Sequence, residues 1–559
     1  MSTRNYAEVR EWLRDARNKT FWNEDLLTVK RSKFGGLGVF ARRDIEVDLQ
    51  DEKSNLLLRI SKEAILSGAN SCISNLLYDS HIDGILALVL ALLYEKAEGK
   101  NSPWFEYINS FEFQDSTSHK LIFAPALWED EERMLLEGTD AELMGIVDPQ
   151  DIKDDYNICL QFAKDNSSVM KAPYELSPDS EKSKWENRKL FQHFAAACFA
   201  VSSRAFIIDN YHQLALVPGA DLFNHGAQNG EDVHFVAIGQ VCPFCGRSDE
   251  CGHDEYGPPD SEEEEYEYEK EEEEEAKAVD DDVDDDVDDD VDDVTSITMD
   301  LINQLEQELE QQKKEEAEAE AESSEEHFDV DSELTPDEVR LNPDQCCDIV
   351  IQRKVKKGQE LMNTYGDLSN SLLLAKYGFT MDKNPNDIAC LGRQIIAYRD
   401  SVGEKANERL EWWSKVGYDR LKEEEDEDDS DEQMDISEED SIDDSWLLAI
   451  NIGYPGVSST ECRCVTKLLS MTDEDFCKLQ NDEEEFCKFY RSEMDTGSKR
   501  ILNELCQARL RCLPGLRSKV YEKFRKGRVE GRKLAICRLL RSEEEILLHE
   551  IAKELSEFT

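Results

Sequence analysis

No stretch of this chain is apolar for long enough to cross a bilayer. The most apolar run, residues 85–94, is bounded by Asp83 and Glu95, whereas a spanning helix needs roughly 20 such residues. The opening residues, Met1-Ser2-Thr3-Arg4-Asn5, lack the apolar core of a signal peptide. Without such a signal, the 16 cysteines are expected to be mostly buried free thiols in a reducing compartment, cytoplasmic, nuclear or both. No membrane partner is expected.

Basic residues are missing from two tracts. Residues 260–333 carry 37 Asp and Glu against 4 Lys, and residues 423–444 carry 15 Asp and Glu with no base. The formal net charge of −62 is therefore concentrated, and −14 remains for everything else, an ordinary value for an enzyme. Such tracts cannot bury enough apolar area to offset chain entropy, so disorder is expected there. Val279, Val283, Val287 and Val291 recur every four residues among aspartates, which is low complexity and not a core face. The tracts suit either of two roles: attracting a basic protein substrate, or being a tolerated, solvated insertion.

With 559 residues the chain can hold two or three domains. Residues 6–17 read as an amphipathic helix. Residues 26–30 enter a strand–glycine turn–strand unit over 33–40 (Phe34-Gly35-Gly36-Leu37-Gly38-Val39-Phe40), where closely spaced glycines allow close ligand approach. From about 60 to 205 the apolar periodicity is helical, most clearly over 82–97 and 187–203. Leu214-Ala215-Leu216-Val217 before Pro218-Gly219-Ala220 reads as a buried strand and turn. Strand character resumes at 348–353, Lys356-Lys357-Gly358 is a turn, 361–363 a strand and 369–377 a helix. From about 385 onward the pattern is helical with charged faces. Residues 499–541 hold 14 Lys and Arg against 3 Glu; solvated helix faces are favoured there over nucleic-acid binding.

Five short motifs follow one another: Gly36-Leu37-Gly38, Ser203-Arg204-Ala205-Phe206, Asp221-Leu222-Phe223-Asn224-His225, Tyr365-Gly366 and Tyr377-Gly378-Phe379. Singly, each has a bland explanation, a tight hairpin, a satisfied buried polar group, a snorkelling arginine or a core aromatic. In this order they resemble the SET-domain protein lysine methyltransferases of the group typified by the plant Rubisco large-subunit methyltransferase. The resemblance is strongest to fungal ribosomal-protein lysine N-methyltransferases. It covers 20–240 and 341–380 by motif, and 385–559 by helical pattern alone.

The resemblance implies an α+β fold. A β-rich SET core would span 20–240 with a helical insertion over about 60–205, then a Cys-rich and acidic disordered insertion over 241–340. The core would resume at 341–382, and an all-α substrate-binding domain would fill 385–559 around the 423–444 tract. Gly36, Leu37 and Gly38 would hold the methionine end of S-adenosylmethionine, and Asn224 and His225 its amino-acid portion and adenine. Phe379 would pack on the adenine, Arg204 and Asp221 would bind substrate, and Tyr365 would be catalytic at the meeting of cofactor and lysine. Two distant segments, 221–225 and 363–366, would thus be brought together. The implied activity is methyl transfer to a lysine of a basic protein, a large-subunit ribosomal protein, by a monomer. Histone or other lysine methylation, or an acidic chaperone-like binding protein, are the rivals.

Two positions depart from the group's pattern. Ile208 stands where a second arginine is common, and the further channel aromatic falls on either His234 or Phe235. Independently of the family, Cys242, Cys245, Cys251 and His253 form a Cys-x2-Cys followed by Cys-x-His. That set suits a structural zinc, or else a cysteine-containing loop; the family needs no metal in its active site.

Overall fold

The computed structural model describes residues 3–33, 36–47, 55–114, 120–177, 184–226, 231–237, 241–247, 251, 345–426, 446–513 and 531–556. The acidic tract at 260–333, nearly all of the tract at 423–444, Phe34, Gly35 and His253 lie outside the described residues or their described side chains. No described helix is long and apolar enough to cross a membrane. The chain divides into two compact units.

The first unit contains Met1–Ile122, Asp154–Gly226 and Glu231–Thr364. Its strands are short: β1 (Thr20–Trp22), β2 (Leu27–Arg31), β3 (Leu37–Ala41), β4 (Leu56–Ser61), β5 (Leu66–Ser67), β6 (Ala205–Ile207), β7 (Leu214–Leu216), β8 (Asn224–His225), β9 (Val233–Ala237), β10 (Cys346–Ile351) and β11 (Met362–Asn363). They pair as small sheets, in the orders β1-β4-β10-β9, β2-β3, β5-β7-β6 and β11-β8. Leu57, Ile60 and Ile349 in the largest sheet are fully buried. The expected glycine-turn hairpin is the β2–β3 pair, with Arg31 opposite Leu37. The helical insertion contains the helices Gly84–Glu98, Gln150–Asp165 and Lys184–Ser202. In Gly84–Glu98 every residue from Ala87 through Glu95 is buried, as an apolar run without a polar face requires. The one acid among them, Glu95, accepts a bond from the Cys72 backbone N–H at 2.7 Å.

The second unit contains Phe123–Lys153 and Tyr365–Thr559. It is mostly helical, with Thr460–Ser470, Thr496–Cys512 and Gly531–Ser556 among its helices. Trp413, Ile452, Val465, Leu502 and Leu548 belong to its core. Asp495 caps Thr496–Cys512 by accepting from Ser498 N at 2.7 Å. The expectation of an all-α C-terminal domain is corrected by a small antiparallel sheet, β12 (Ile388–Cys390), β13 (Asn451–Gly453) and β14 (Val457–Ser458). Its strands of two or three residues are too short to impose a period of two on the sequence.

A buried cluster binds this unit together. Arg509 donates to Asp140 Oδ1 and Glu544 Oε2, each at 2.7 Å, and to the carbonyls of Cys390 and Gly138. Asp140 N donates to Glu544 Oε1 at 2.8 Å. Burial raises both carboxyls above their ordinary range, against the pull of the guanidinium.

Candidate active site

The hairpin turn ends at Gly36, whose φ of +62° is the left-handed conformation that glycine adopts without steric cost. Leu37 and Gly38 then open β3. The Asn224 Nδ2 group donates to the Leu37 carbonyl at 2.9 Å and to Glu360 Oε1 at 2.7 Å. The other carboxylate oxygen of Glu360 accepts from Ser32 Oγ at 3.0 Å. Both amide protons of Asn224 are thereby engaged, which fixes the orientation of the amide and leaves its carbonyl oxygen as an acceptor. Gly38 lies under this network. A Cβ there would fall 2.0 Å from Glu360 Oε1 and 2.8 Å from Asn224 Nδ2, so any side chain would displace the carboxylate.

The placement of Asn224 and Glu360 follows from strand pairing. β8 runs parallel to β11, with Met362 opposite Asn224 and Asn363 opposite His225. Gly226 N donates to the Asn363 carbonyl at 2.9 Å. Just upstream of β11, Glu360 bridges to Phe40, and Leu361 N donates to Val39 O at 2.8 Å. The hairpin and the β8–β11 pair are thus joined through one segment. Buried Asp232 holds it, accepting from Met362 N at 3.0 Å and from Arg353 Nε at 2.6 Å. Leu37, Gly38, Asn224 and His225, expected together, are together.

A second cluster in this unit surrounds Asp221. Its carboxylate accepts from the Tyr107 hydroxyl at 3.1 Å and lies 3.9 Å from Arg204 Nε. Burial pushes its pKa up to about 6, although Arg204 and the bonds from Tyr107 and Gly219 oppose the rise. The Arg204 guanidinium sits 5.2 Å from the Phe111 ring centroid, and Phe111 is edge-on to Tyr107 at 4.9 Å. Arg204 and Asp221 are therefore neighbours, in a cluster whose aromatics were not expected. Phe235 packs against Phe206 with ring centroids 4.5 Å apart and the rings tilted by 34°, and the His234 ring pairs with Glu231 at 2.9 Å. Phe235, one of the two candidates for the further aromatic, is thus in an aromatic pair. Ile208 is fully buried.

The remaining expected residues lie in the second unit. The Tyr365 ring stacks on Tyr377 at 4.4 Å, and Tyr377 in turn is 6.3 Å from Phe379. Burial, reinforced by Tyr365, pushes the Tyr377 hydroxyl far above its ordinary pKa. Tyr377 ends the helix Asn370–Tyr377, which Ser369 caps at its start and left-handed Gly378 closes at its end. That closure turns Phe379 back beside the same helix end. Asn370 holds the following loop by accepting from Met381 N at 2.7 Å.

Glu360 was missed, and Tyr377 was read only as part of the Tyr377-Gly378-Phe379 motif, without a role of its own. Glu360 carried one local signal, its position between the Lys356-Lys357-Gly358 turn and the Tyr365-Gly366 motif. Its partners, 136 and 328 residues away, could not be read from its neighbours.

No protein-family model matches the chain. Among curated proteins, it is 30% identical to ribosomal lysine N-methyltransferase 3 of Saccharomyces cerevisiae, covering 87% of this chain and 88% of the yeast protein. It is 34% identical to ribosomal lysine N-methyltransferase 4 of Schizosaccharomyces pombe over 114 residues, 16% of this chain and 24% of that protein. To mouse N-lysine methyltransferase SETD6 it is 27% identical, covering 38% of this chain and 42% of the mouse protein. Among solved structures, the SET domain of LSMT bound to lysine and AdoHcy matches with a TM-score of 0.52 at 14% identity, covering 99% of this chain and 91% of that one. That likeness is one of fold.

Proposed function

Because the chain belongs to the SET-domain protein lysine N-methyltransferases, we propose that it transfers methyl groups from S-adenosylmethionine to a lysine side chain of a large-subunit ribosomal protein. The similarity that carries this reading runs along 88% of the yeast ribosomal lysine N-methyltransferase. The cytoplasm and the nucleus, both reducing, suit a chain whose described cysteines form no disulfide.

The residues around Gly38 fit the amino-acid end of the cofactor. The bare backbone of Leu37 and Gly38 can approach a ligand closely, and Asn224 keeps one carbonyl acceptor turned from its two fixed donors. Glu360 adds a carboxylate for a cationic group such as an α-ammonium. In the proposed assignment Gly36, Leu37, Gly38, Asn224 and His225 bind the cofactor. Phe379 contributes an apolar face for its adenine.

The cofactor supplies an electrophilic sulfonium methyl, and the chain's task is to present a neutral amine in line with it. A free lysine has a pKa of about 10.4, so deprotonating it at pH 7 costs about 4.6 kcal/mol. Aromatic, desolvating surroundings lower that pKa by up to several units. Holding both reactants in line contributes a further ~7–11 kcal/mol. Tyr365, stacked on half-buried Tyr377, is assigned to orienting the amine through its hydroxyl; it is not assigned to removing the proton. Arg204 and Asp221 are assigned to the substrate segment flanking the lysine.

The test is incubation of the purified chain with methyl-labelled S-adenosylmethionine and undermethylated ribosomal subunits. Label is expected in one discrete large-subunit protein, on lysine. Label only on histones would favour other acceptors, and no label would favour a binding protein.

A further inference from the structure

Past β9 the chain makes a tight turn that the methyltransferase reading does not use. Its thiols at Cys242 and Cys245 meet that of Cys251, all three ligand atoms lying within 4.8 Å of one another. This is the only such group of metal-capable side chains among the described residues.

The turn is closed by its own backbone. Gly246 N donates to the Cys242 carbonyl and Cys242 N to the Arg247 carbonyl, each at 2.8 Å. A thiolate is the form of cysteine that binds metal. Gly246 has φ +68°, and a Cβ there would lie 2.7 Å from a ring carbon of Tyr211. The turn is thereby pressed onto the loop joining β6 to β7.

We infer that Cys242, Cys245 and Cys251 form a structural metal site selective for a thiolate-seeking divalent ion, Zn²⁺ in particular. Tetrahedral zinc with Zn–S bonds of about 2.3 Å sets its sulfurs roughly 3.8 Å apart, so the thiols need to move by about 1 Å or less. Each thiol releases its proton to solvent as the metal–sulfur bond forms. A disulfide would instead draw two sulfurs to about 2.05 Å and leave the third outside. The fourth position is open to assignment; His253, the sequence candidate, lies outside the described residues. The bound ion would fix the turn against Tyr211 at the point where the chain leaves β9 for the acidic tract. It would be structural, and the inference is independent of the proposed activity.

The test uses the full chain, purified with reductant and zinc and without chelator, and measures metal by mass spectrometry. One zinc per chain is expected for the wild type and for C477S, which removes an exposed thiol elsewhere. In C245S and C251S the content should fall at least tenfold. Replacing zinc by Co²⁺ in the wild type should give thiolate-to-cobalt charge-transfer absorption of the strength three sulfurs produce, a readout that needs no variant. Less than about a tenth of an equivalent of zinc in the wild type would overturn the inference. So would zinc retained in both variants, a cobalt spectrum showing no more than one sulfur, or a disulfide within the trio in the zinc-purified protein.

Discussion

The Asn224 amide and the Glu360 carboxylate, 136 residues apart in the chain, meet at 2.7 Å beside a glycine that leaves them no spare room. If this contact orients Asn224 toward the cofactor, its loss should appear in cofactor affinity before it appears in stability. Glu360→Ala is expected to weaken binding of S-adenosylhomocysteine about tenfold, in line with a charge-assisted hydrogen bond of about 1.5 kcal/mol. Glu360→Gln, which keeps an acceptor for Asn224, should weaken it less. Calorimetric titration separates the two, and equal affinities in all three proteins would remove Glu360 from the site.

Gly38→Ala should cost more, because its methyl group would have to displace the Glu360 carboxylate. A loss of about 1–3 kcal/mol is expected from overpacking of this kind. Combining it with Glu360→Ala should cost less than the two losses added, since both act on one contact. Strict additivity in the same titration would show that Gly38 acts elsewhere.

Asp221 gives a pH-dependent signature. Its folded pKa of about 6 lies above the ordinary 3.8, so the folded state holds its proton more tightly than the unfolded state. Stability attached to this group is full below pH 3.8 and is lost progressively up to about 6, then stays lost. Asp221→Asn carries no such loss. Denaturant unfolding should therefore show the variant gaining on the wild type between about pH 4 and 6, with a constant difference above. A difference independent of pH would contradict the buried, proton-retaining carboxyl. In activity assays the same variant should raise the KM for the protein substrate.

Arg509 is shared between two acidic side chains, Asp140 and Glu544, that are almost wholly buried. Arg509→Met would leave them facing each other without a cation. A destabilisation of about 3–5 kcal/mol is expected from such an uncompensated charge, read by denaturant unfolding of the second unit. Arg500→Met removes an exposed partner of Glu504 and should cost about 0–1 kcal/mol.

What could be read from the chain before folding was local. The glycine turn predicted the β2–β3 hairpin, and the apolar periodicity over 82–97 predicted the helix Gly84–Glu98. Ser369 and Gly378 marked the ends of one helix. What could not be read was made by pairing across distance. Cys390 pairs with Asn451 in a sheet of very short strands, and Asp140 N reaches Glu544 across 404 positions. Arg204 and Asp221 were chosen through a family likeness, yet their aromatic setting of Tyr107 and Phe111 arises from a helix and loop a hundred residues upstream. Glu360 belongs to the same class: a solvent-suited residue type in a charged stretch, given a role only by the strands that flank it.

In the proposed reaction Tyr365 is assigned to orienting the substrate amine. Single-turnover transfer of labelled methyl from S-adenosylmethionine to large-subunit ribosomal protein measures its contribution directly, with wild type and Tyr365→Phe compared at saturating cofactor. The wild type should label lysine in one protein, and the variant should bind cofactor equally while transferring about 100-fold more slowly, the scale of loss that misplacing a reacting group brings. Absence of lysine label from the wild type, or an undiminished rate in the variant, would contradict the account.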